Sequence, residues 1–317
     1  MLSEERARRC LTEEWDRPAA RLTRLDGGMG SRTWIVDDAG RRWVLKAVAP
    51  HLGDQLAGGL AVASRLDRPG IPSGKPEPTT DGSLTATADG YTLGLLAWVP
   101  GDPLTGGDEH ERRLIGATLA RVHQALSGLV VPAARRFHWV NPAAAHLSLR
   151  PWVRPAVTAA VADLERRGPG AWTAGLLHAD PAAEAFRLDP VTGQVGIIDW
   201  SVALHGPLLY DLASAAMYLG GLDAAAGMID AYLASGGLSQ READEGLRPM
   251  LRFRWAVQAD YFAFRITGND LTGITGPQEN EKGLEDARRA LLADPAPGPL
   301  RAYHLPSAGP IEVIVSL

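Results

Sequence analysis

Two aspartates, nineteen residues apart, sit in apolar surroundings in this sequence: Asp180 in Leu177-His178-Ala179-Asp180, and Asp199 at the end of Val195-Gly196-Ile197-Ile198. A carboxylate in a loop after a histidine suits a base that orients a hydroxyl and takes its proton. A carboxylate closing an apolar strand suits an oxygen ligand for Mg²⁺. The turn signal at residues 189–193 makes the intervening chain a hairpin, which brings both carboxylates to one end of adjacent strands. Read alone, the pair is also open to a plainer reading as two turn-forming aspartates. Further upstream, the glycine turn Gly27-Gly28-Met29-Gly30-Ser31 lies between two strand-like runs and can lay the backbone amides of Gly28, Gly30 and Ser31 over phosphates. By itself it is an ordinary hairpin. Lys46 follows sixteen residues after Gly30, inside Trp43-Val44-Leu45-Lys46-Ala47-Val48. A lysine in an apolar strand must reach water or meet an anion. Lysine, glycine turn and two aspartates together describe phosphoryl transfer, with Lys46 on the phosphates, Asp180 as base and Asp199 on the metal.

In these residues the chain resembles the aminoglycoside phosphotransferase-like family, which also takes in choline kinase-like proteins. The resemblance runs from about residue 22 to 292. It is carried by Leu177-His178-Ala179-Asp180, by Ile197-Ile198-Asp199-Trp200 and by Gly206-Pro207-Leu208-Leu209-Tyr210-Asp211. Val99-Pro100-Gly101-Asp102 resembles the family's hinge exit, and Val122-His123 its helix before the catalytic loop. The resemblance implies a bilobal protein-kinase-like fold and a cytoplasmic kinase that uses ATP and Mg²⁺ on a small-molecule hydroxyl. It also implies hinge contacts to adenine from Trp98 and Val99, and structural roles for His178 and Asp211 in fixing the loop. Two departures stand out. Ala185 occupies the place of the family's metal-binding asparagine, and the small-lobe helix has no acid for the lysine beyond Asp54 at its start. Glu184, next to the missing asparagine, is the expected replacement ligand. Because of these losses, a pseudokinase that binds nucleotide without transfer stays open as an alternative.

These residues need particular elements to position them. Residues 22–25, 33–36 and 43–48 read as strands, 82–87 and 91–98 as a further pair, and 55–66 as a helix weakened by Gly58 and Gly59. After Gly101 the apolar period becomes helical. Ile115, Leu119, Val122 and Leu126 give one face, and Val157, Val161 and Leu164 another, with Pro155 in the first turn. Leu209 to Leu219 is a further helix, Ser239-Gln240-Arg241-Glu242 opens as a capping box, and a long buried face follows Pro249. Leu284, Ala287 and Leu291 mark the last helix. The fold class expected is α+β, with a sheet-rich lobe over 1–99, a helical lobe over 100–317 and a hinge at 98–102.

Composition narrows the function. Charged residues make up 22% and the net charge is −5 with no long basic run, which argues against nucleic acid. The single cysteine, Cys10, excludes an internal disulfide and a cysteine zinc site. The charged start MLSEERARRC has no apolar signal core, and the most apolar stretch, 204–222, contains His205, Asp211 and glycines, so neither export nor a membrane partner is expected. Gly70 to Lys75 lacks the spacing of a phosphate-binding loop, and Gly28 to Thr33 lacks the third glycine of a dinucleotide fingerprint. The acceptor is expected against the C-terminal helices, near Arg254, Asp260, Asn269, Asp270 and Glu281, with Arg265 and Asn280 close by. Their mixed charges offer no acidic funnel for a polycation. Nothing in the sequence sets an oligomeric state.

Overall fold

The computed structural model describes residues 2–25, 30–137, 140–168 and 172–293. Its first element is one that composition hid. Ser3 accepts from the Arg6 amide and starts α1, Glu4–Trp15, whose buried residues Ala7, Cys10, Leu11 and Trp15 follow a helical spacing. That stripe packs on an antiparallel sheet: β1 (Arg21–Leu25), β2 (Ser31–Asp38), β3 (Arg41–Val48), then β4 (Pro76–Glu77), β5 (Ala86–Ala88) and β6 (Tyr91–Ala97). The order is β1-β2-β3-β6-β4, with β5 on β6. Along β3 the side chains alternate. Trp43, Leu45 and Ala47 are buried under α1, so Val44 and Lys46 face the other way. Lys46 lies between Thr33 of β2 and Gly94 of β6.

On that second face runs α2, Gly53–Ala63. Two mid-helix glycines cost about 1 kcal/mol each in propensity, and the structure shows what offsets them. A Cβ on Gly58 would stand 2.3 Å from the Ala133 carbonyl oxygen, and one on Gly59 2.0 Å from that of Trp200. The helix touches neighbouring backbone directly. Beyond α2, residues 70–72 lie along the second part of the molecule, where Pro72 accepts from the Ile197 amide at 2.8 Å and Gly70 from Gln194 at 2.8 Å.

Gly101, at φ 107°, turns the chain so tightly against Leu188 that no side chain fits. β7 (Asp102–Pro103) then pairs with β10 (Phe186–Leu188), which pairs with β11 (Val195–Ile197). A third small sheet joins β8 (Arg135–Arg136), β12 (Leu204–Pro207) and β9 (Ala174–Leu177). Around these strands pack α3 (Glu109–Leu126), α4 (Val153–Arg167), α5 (Leu209–Tyr218), α6 (Ala226–Ala234), α7 (Gln240–Thr267) and α8 (Pro277–Leu292). One apolar core joins all six, and Val62 and Ala63 at the end of α2, with Leu66 in the turn after it, belong to it. Among the described residues no helix is long and apolar enough to cross a membrane.

Three expectations need correction. Residues 240–267 form one helix straight through Pro249, because Leu247 and Met250 on either side of it are buried in the same core. A proline there forfeits a backbone hydrogen bond at about 3 kcal/mol, and packing on both flanks offsets it. Ser239 does cap this helix, yet Glu242 does not return to it. Its carboxylate takes the Thr173 amide at 2.5 Å and hydroxyl at 3.0 Å, tying α7 to the start of β9. The expected strand at 82–87 shrinks to three residues, and α6 arises where no element was read.

Cys10 is buried on the α1 stripe. Burial, then the charge of Glu14, pushes its thiol up to about 11. A raised thiol pKa removes thiolate at neutral pH, so native protein at pH 8 should resist alkylation by iodoacetamide. Mass spectrometry should show full labelling of Cys10 only after denaturation.

Candidate active site

The site begins at the end of β9. The amides of His178 and Ala179 both donate to the carboxylate of Asp211, at 2.8 and 2.6 Å, and Asp211 is fully buried in the first turn of α5. Aiming two successive amides at one carboxylate forces Ala179 to φ 72°, a left-handed conformation unfavourable for alanine by about 1–3 kcal/mol. His123 of α3 donates its Nε2 proton to the same carboxylate at 3.0 Å, and its Nδ1 takes the hydroxyl of Tyr232 at 2.7 Å. Burial and the charges of Asp211 and Glu242 raise the Tyr232 pKa, which keeps that hydroxyl a donor.

The side chain of His178 then joins the two aspartate loops. Its Nε2 lies 2.8 Å from the Ile198 carbonyl, which only accepts, and its Nδ1 lies 3.3 Å from the Asp180 amide, which only donates. The ring is therefore the neutral tautomer with its proton on Nε2. Its edge meets Trp200 at a centroid distance of 4.8 Å. One more bond, from the Ile198 amide to the Ala185 carbonyl at 2.9 Å, fixes the far side of the hairpin. The Ala185 methyl belongs to the core.

Asp199 follows at φ 69°. Its Oδ1 accepts from the ammonium of Lys46 and, at 2.7 Å, from the hydroxyl of Ser201, which lies 3.0 Å from Lys46 in turn. About half of the Asp199 side-chain surface still meets water, against 13% for Lys46. Desolvation between the lobes works to raise the carboxyl, but the Lys46 charge and hydrogen bond, with that of Ser201, outweigh it and hold the group well below the usual carboxylate range. Asp54, the expected acid for the lysine, is an exposed residue of the first turn of α2, and Ser201 and Asp199 take its place.

The structure thus brings Lys46 and Asp199 together, and groups His178, Asp180 and Asp211 beside them. Asp180 accepts on Oδ1 from the Tyr218 hydroxyl and, at 2.9 Å, from Arg254 of α7. The remaining acceptor candidates are tied into the helical part. Asp260 meets His146 at 2.7 Å, and Glu281 meets Arg150 at 3.2 Å. Asp270 pairs at 3.3 Å with Arg265, which also donates to Asn280 at 2.9 Å, while Asn269 turns the chain after α7 at φ 49°. Gly30, at φ 82°, leads into Ser31 at the start of β2, and Gly28 lies outside the described residues. The Trp98 amide is turned to the Arg42 carbonyl at 3.3 Å, and Val99 is buried beside Gly196. Glu184 is exposed in a short turn before β10. Sequence reading missed Ser201, Tyr232 and Tyr218. Tyr218 had a signal, since it follows Asp211 by seven residues and so shares its face of α5.

Asp211 carries the loop, and removing it strands two buried amides and His123. We expect Asp211→Ala to cost about 3–5 kcal/mol and to lower the calorimetric Tm by about 10 °C. An unchanged Tm would deny it the anchoring role.

Comparison with known proteins adds a second line of observation. The profile of the phosphotransferase enzyme family, APH, matches residues 21–250. Homoserine kinases of Sinorhizobium medicae (strain WSM419) and Sinorhizobium fredii (strain NBRC 101917 / NGR234) are 28% and 27% identical over 169 residues, 50% of this chain and 51% of theirs. The chain spans about half the length of the curated relatives it matches. An amicoumacin kinase solved with AMP-PNP, Ca²⁺ and its ligand superposes with a TM-score of 0.71 at 15% identity, over 92% of this chain and 93% of that one. A microcompartment-associated aminopropanol kinase gives 0.66 at 18% identity, over 90% and 94%. Likeness at these identities shows the fold, a protein-kinase-like arrangement of antiparallel sheet and helices. With the profile covering well over half of its length, the chain belongs to the phosphotransferase enzyme family.

Proposed function

We propose that the protein transfers the γ-phosphoryl group of ATP, with Mg²⁺, to the hydroxyl of a small molecule. The observation that supports this best is the meeting of Lys46 and Asp199 from opposite parts of the chain, with Asp180 on the adjoining loop. In this reading Lys46 binds phosphate oxygens, Asp180 orients and deprotonates the acceptor, and His178 and Asp211 hold the loop. The amides of Gly28, Gly30 and Ser31 cover the phosphates. Trp98 and Val99 form the adenine hinge, and since the Trp98 amide is engaged on β3, Val99 is the residue that offers its backbone. The lobes divide at 99/100, next to Gly101.

The donor set fits Mg²⁺. Among the described residues no cluster of three or more His, Cys, Asp or Glu side chains could cage a metal. Mg²⁺ needs none, because it is commonly held through one or two carboxylates with phosphates and water completing the shell. Asp199, kept ionised and half exposed, would be the first ligand. Position 185 offers a core methyl, and the adjacent exposed Glu184 would be the second. The metal would supply charge neutralisation on the transferring group. Acceptors in scope are antibiotics, sugars, nucleosides and amino alcohols, met by Asp260, Asn269, Asp270 and Glu281, while Arg254 is turned to Asp180. A cytoplasmic setting goes with this chemistry. The second reading, nucleotide binding without transfer, draws on the same core methyl at 185.

Lys46→Ala and Asp199→Ala should each abolish the thermal shift given by Mg-ATP, since one removes the phosphate charge and the other a metal ligand. Wild-type shifts in both would end the kinase reading. Asp180→Asn should keep that thermal shift and lose about 10²–10⁴-fold in turnover, measured as ADP formation across an acceptor panel. An Asp180→Asn enzyme with full turnover would remove Asp180 from the role of base. A wild type that binds Mg-ATP and phosphorylates nothing would favour the second reading.

A further inference from the structure

Asp180 is held from one side only. The hydroxyl of Tyr218, at the end of α5, and Nη2 of Arg254, in the middle of α7, both donate to Oδ1. Nη2 also lies 3.1 Å from the Tyr218 oxygen, so the three groups close a ring, and the guanidinium stands 5.6 Å from the centre of the Tyr218 ring. Among the described residues no donor reaches Oδ2. Exposure shows the same polarity. The Arg254 side chain is 9% exposed and that of Asp180 is 45%, so the cation backs the carboxylate from the protein interior. Nε of Arg254 is buried with no hydrogen-bond partner. An orphaned guanidinium nitrogen is unfavourable, and its persistence means that the head group is placed by what Nη2 must reach.

From this we propose that Tyr218 and Arg254 are positioning residues that fix Asp180 by Oδ1 and leave Oδ2 to receive the acceptor proton. The inference rests on the kinase reading above. A carboxylate pivots about its terminal torsion, and a base that must meet one hydroxyl loses rate when it wanders. Clamping one oxygen between two helices removes the pivot. In the transfer step the acceptor O–H bond breaks as its oxygen bonds phosphorus. The proton goes to Oδ2, and ADP departs with the electron pair of the broken P–O bond. Tyr218 and Arg254 touch none of the reacting atoms. Asp211 and Tyr218, on one face of α5, thus serve the same loop in sequence: one holds its backbone, the other its functional oxygen.

The test uses full-length Tyr218→Phe, Arg254→Ala and Arg254→Lys proteins. Mg-ATP affinity is read by calorimetry, turnover with homoserine and with water as acceptor probes, and Asp180 geometry by crystallography. Arg254→Ala should lose about 10²-fold in kcat with nucleotide affinity unchanged. Arg254→Lys should recover part of the loss, as should millimolar guanidinium added to Arg254→Ala. Tyr218→Phe, which removes one oxygen from a partly exposed ring and leaves the fold intact, should lower kcat more mildly. Both truncations should show Asp180 in two orientations where the wild type shows one. Wild-type kcat in Tyr218→Phe and Arg254→Ala, or a single Asp180 orientation in both, would overturn the proposal. So would a loss matched by an equal loss of nucleotide affinity. If wild type binds no Mg-ATP, the kinase reading fails by itself. If it binds but turns over neither probe, the Asp180 orientations in the crystals decide the positioning role.

Discussion

One buried carboxylate sets the geometry on which the rest depends. Asp211 enters the core as a charge, which is tolerable only because three donors converge on it. Two of those donors are consecutive backbone amides, so the charge dictates a backbone path, left-handed at Ala179, and that path points His178 at the hairpin and Asp180 at the cleft. Side-chain packing alone would leave such a loop several conformations. A fixed negative charge under two amides leaves it one. The neutral imidazole of His178 then carries the constraint across to Ile198, immediately before Asp199.

The opposite end of the cleft obeys a different rule. Lys46 leaves an apolar strand and meets a carboxylate and a hydroxyl that the chain delivers 153 and 155 residues later. Neither partner comes from the helix beside it. The pair keeps Asp199 ionised, and it makes the charge balance of the cleft depend on the docking of sheet and helical part against each other. The stitching at Gly70 and Pro72 maintains that docking through backbone carbonyls, which accept from the Gln194 side chain and the Ile197 amide and do not titrate.

The elements that carry the site were legible because each announced itself within a few residues: strands by β-branched and aromatic runs, the hairpin by Asp189 and Gly193, α3 and α5 by apolar spacing. His178, Asp180, Asp199 and Asp211 stand in such local signals, and the structure gathers them. What stayed hidden depends on partners distant in sequence. Glu242 has the spacing of a capping box, yet its carboxylate is used by Thr173, and Pro249 marks a break that packing on both flanks overrides. Arg254 was readable as a polar residue near the acceptor side, but its grip on Asp180 needs α5 and α7 side by side. Residues 26–29, Gly28 among them, lie outside the described residues.

The glycines of α2 and its missing acid are one fact seen twice. Where this helix faces the segment after Asp199, its backbone lies so close to Trp200 that even a methyl group on Gly59 would enter the carbonyl oxygen. A glutamate on that face has no volume to occupy, whatever it would gain from Lys46. Restoring a helix-borne acid at positions 58 or 59 therefore requires the helix to withdraw, which would pull Val62, Ala63 and Leu66 out of the core that they share with α3 to α8. A side chain added at either glycine alone therefore costs packing in this arrangement. The lysine is answered from below, by Asp199 and Ser201, and an acid on α2 at these positions would come only with a loosened core.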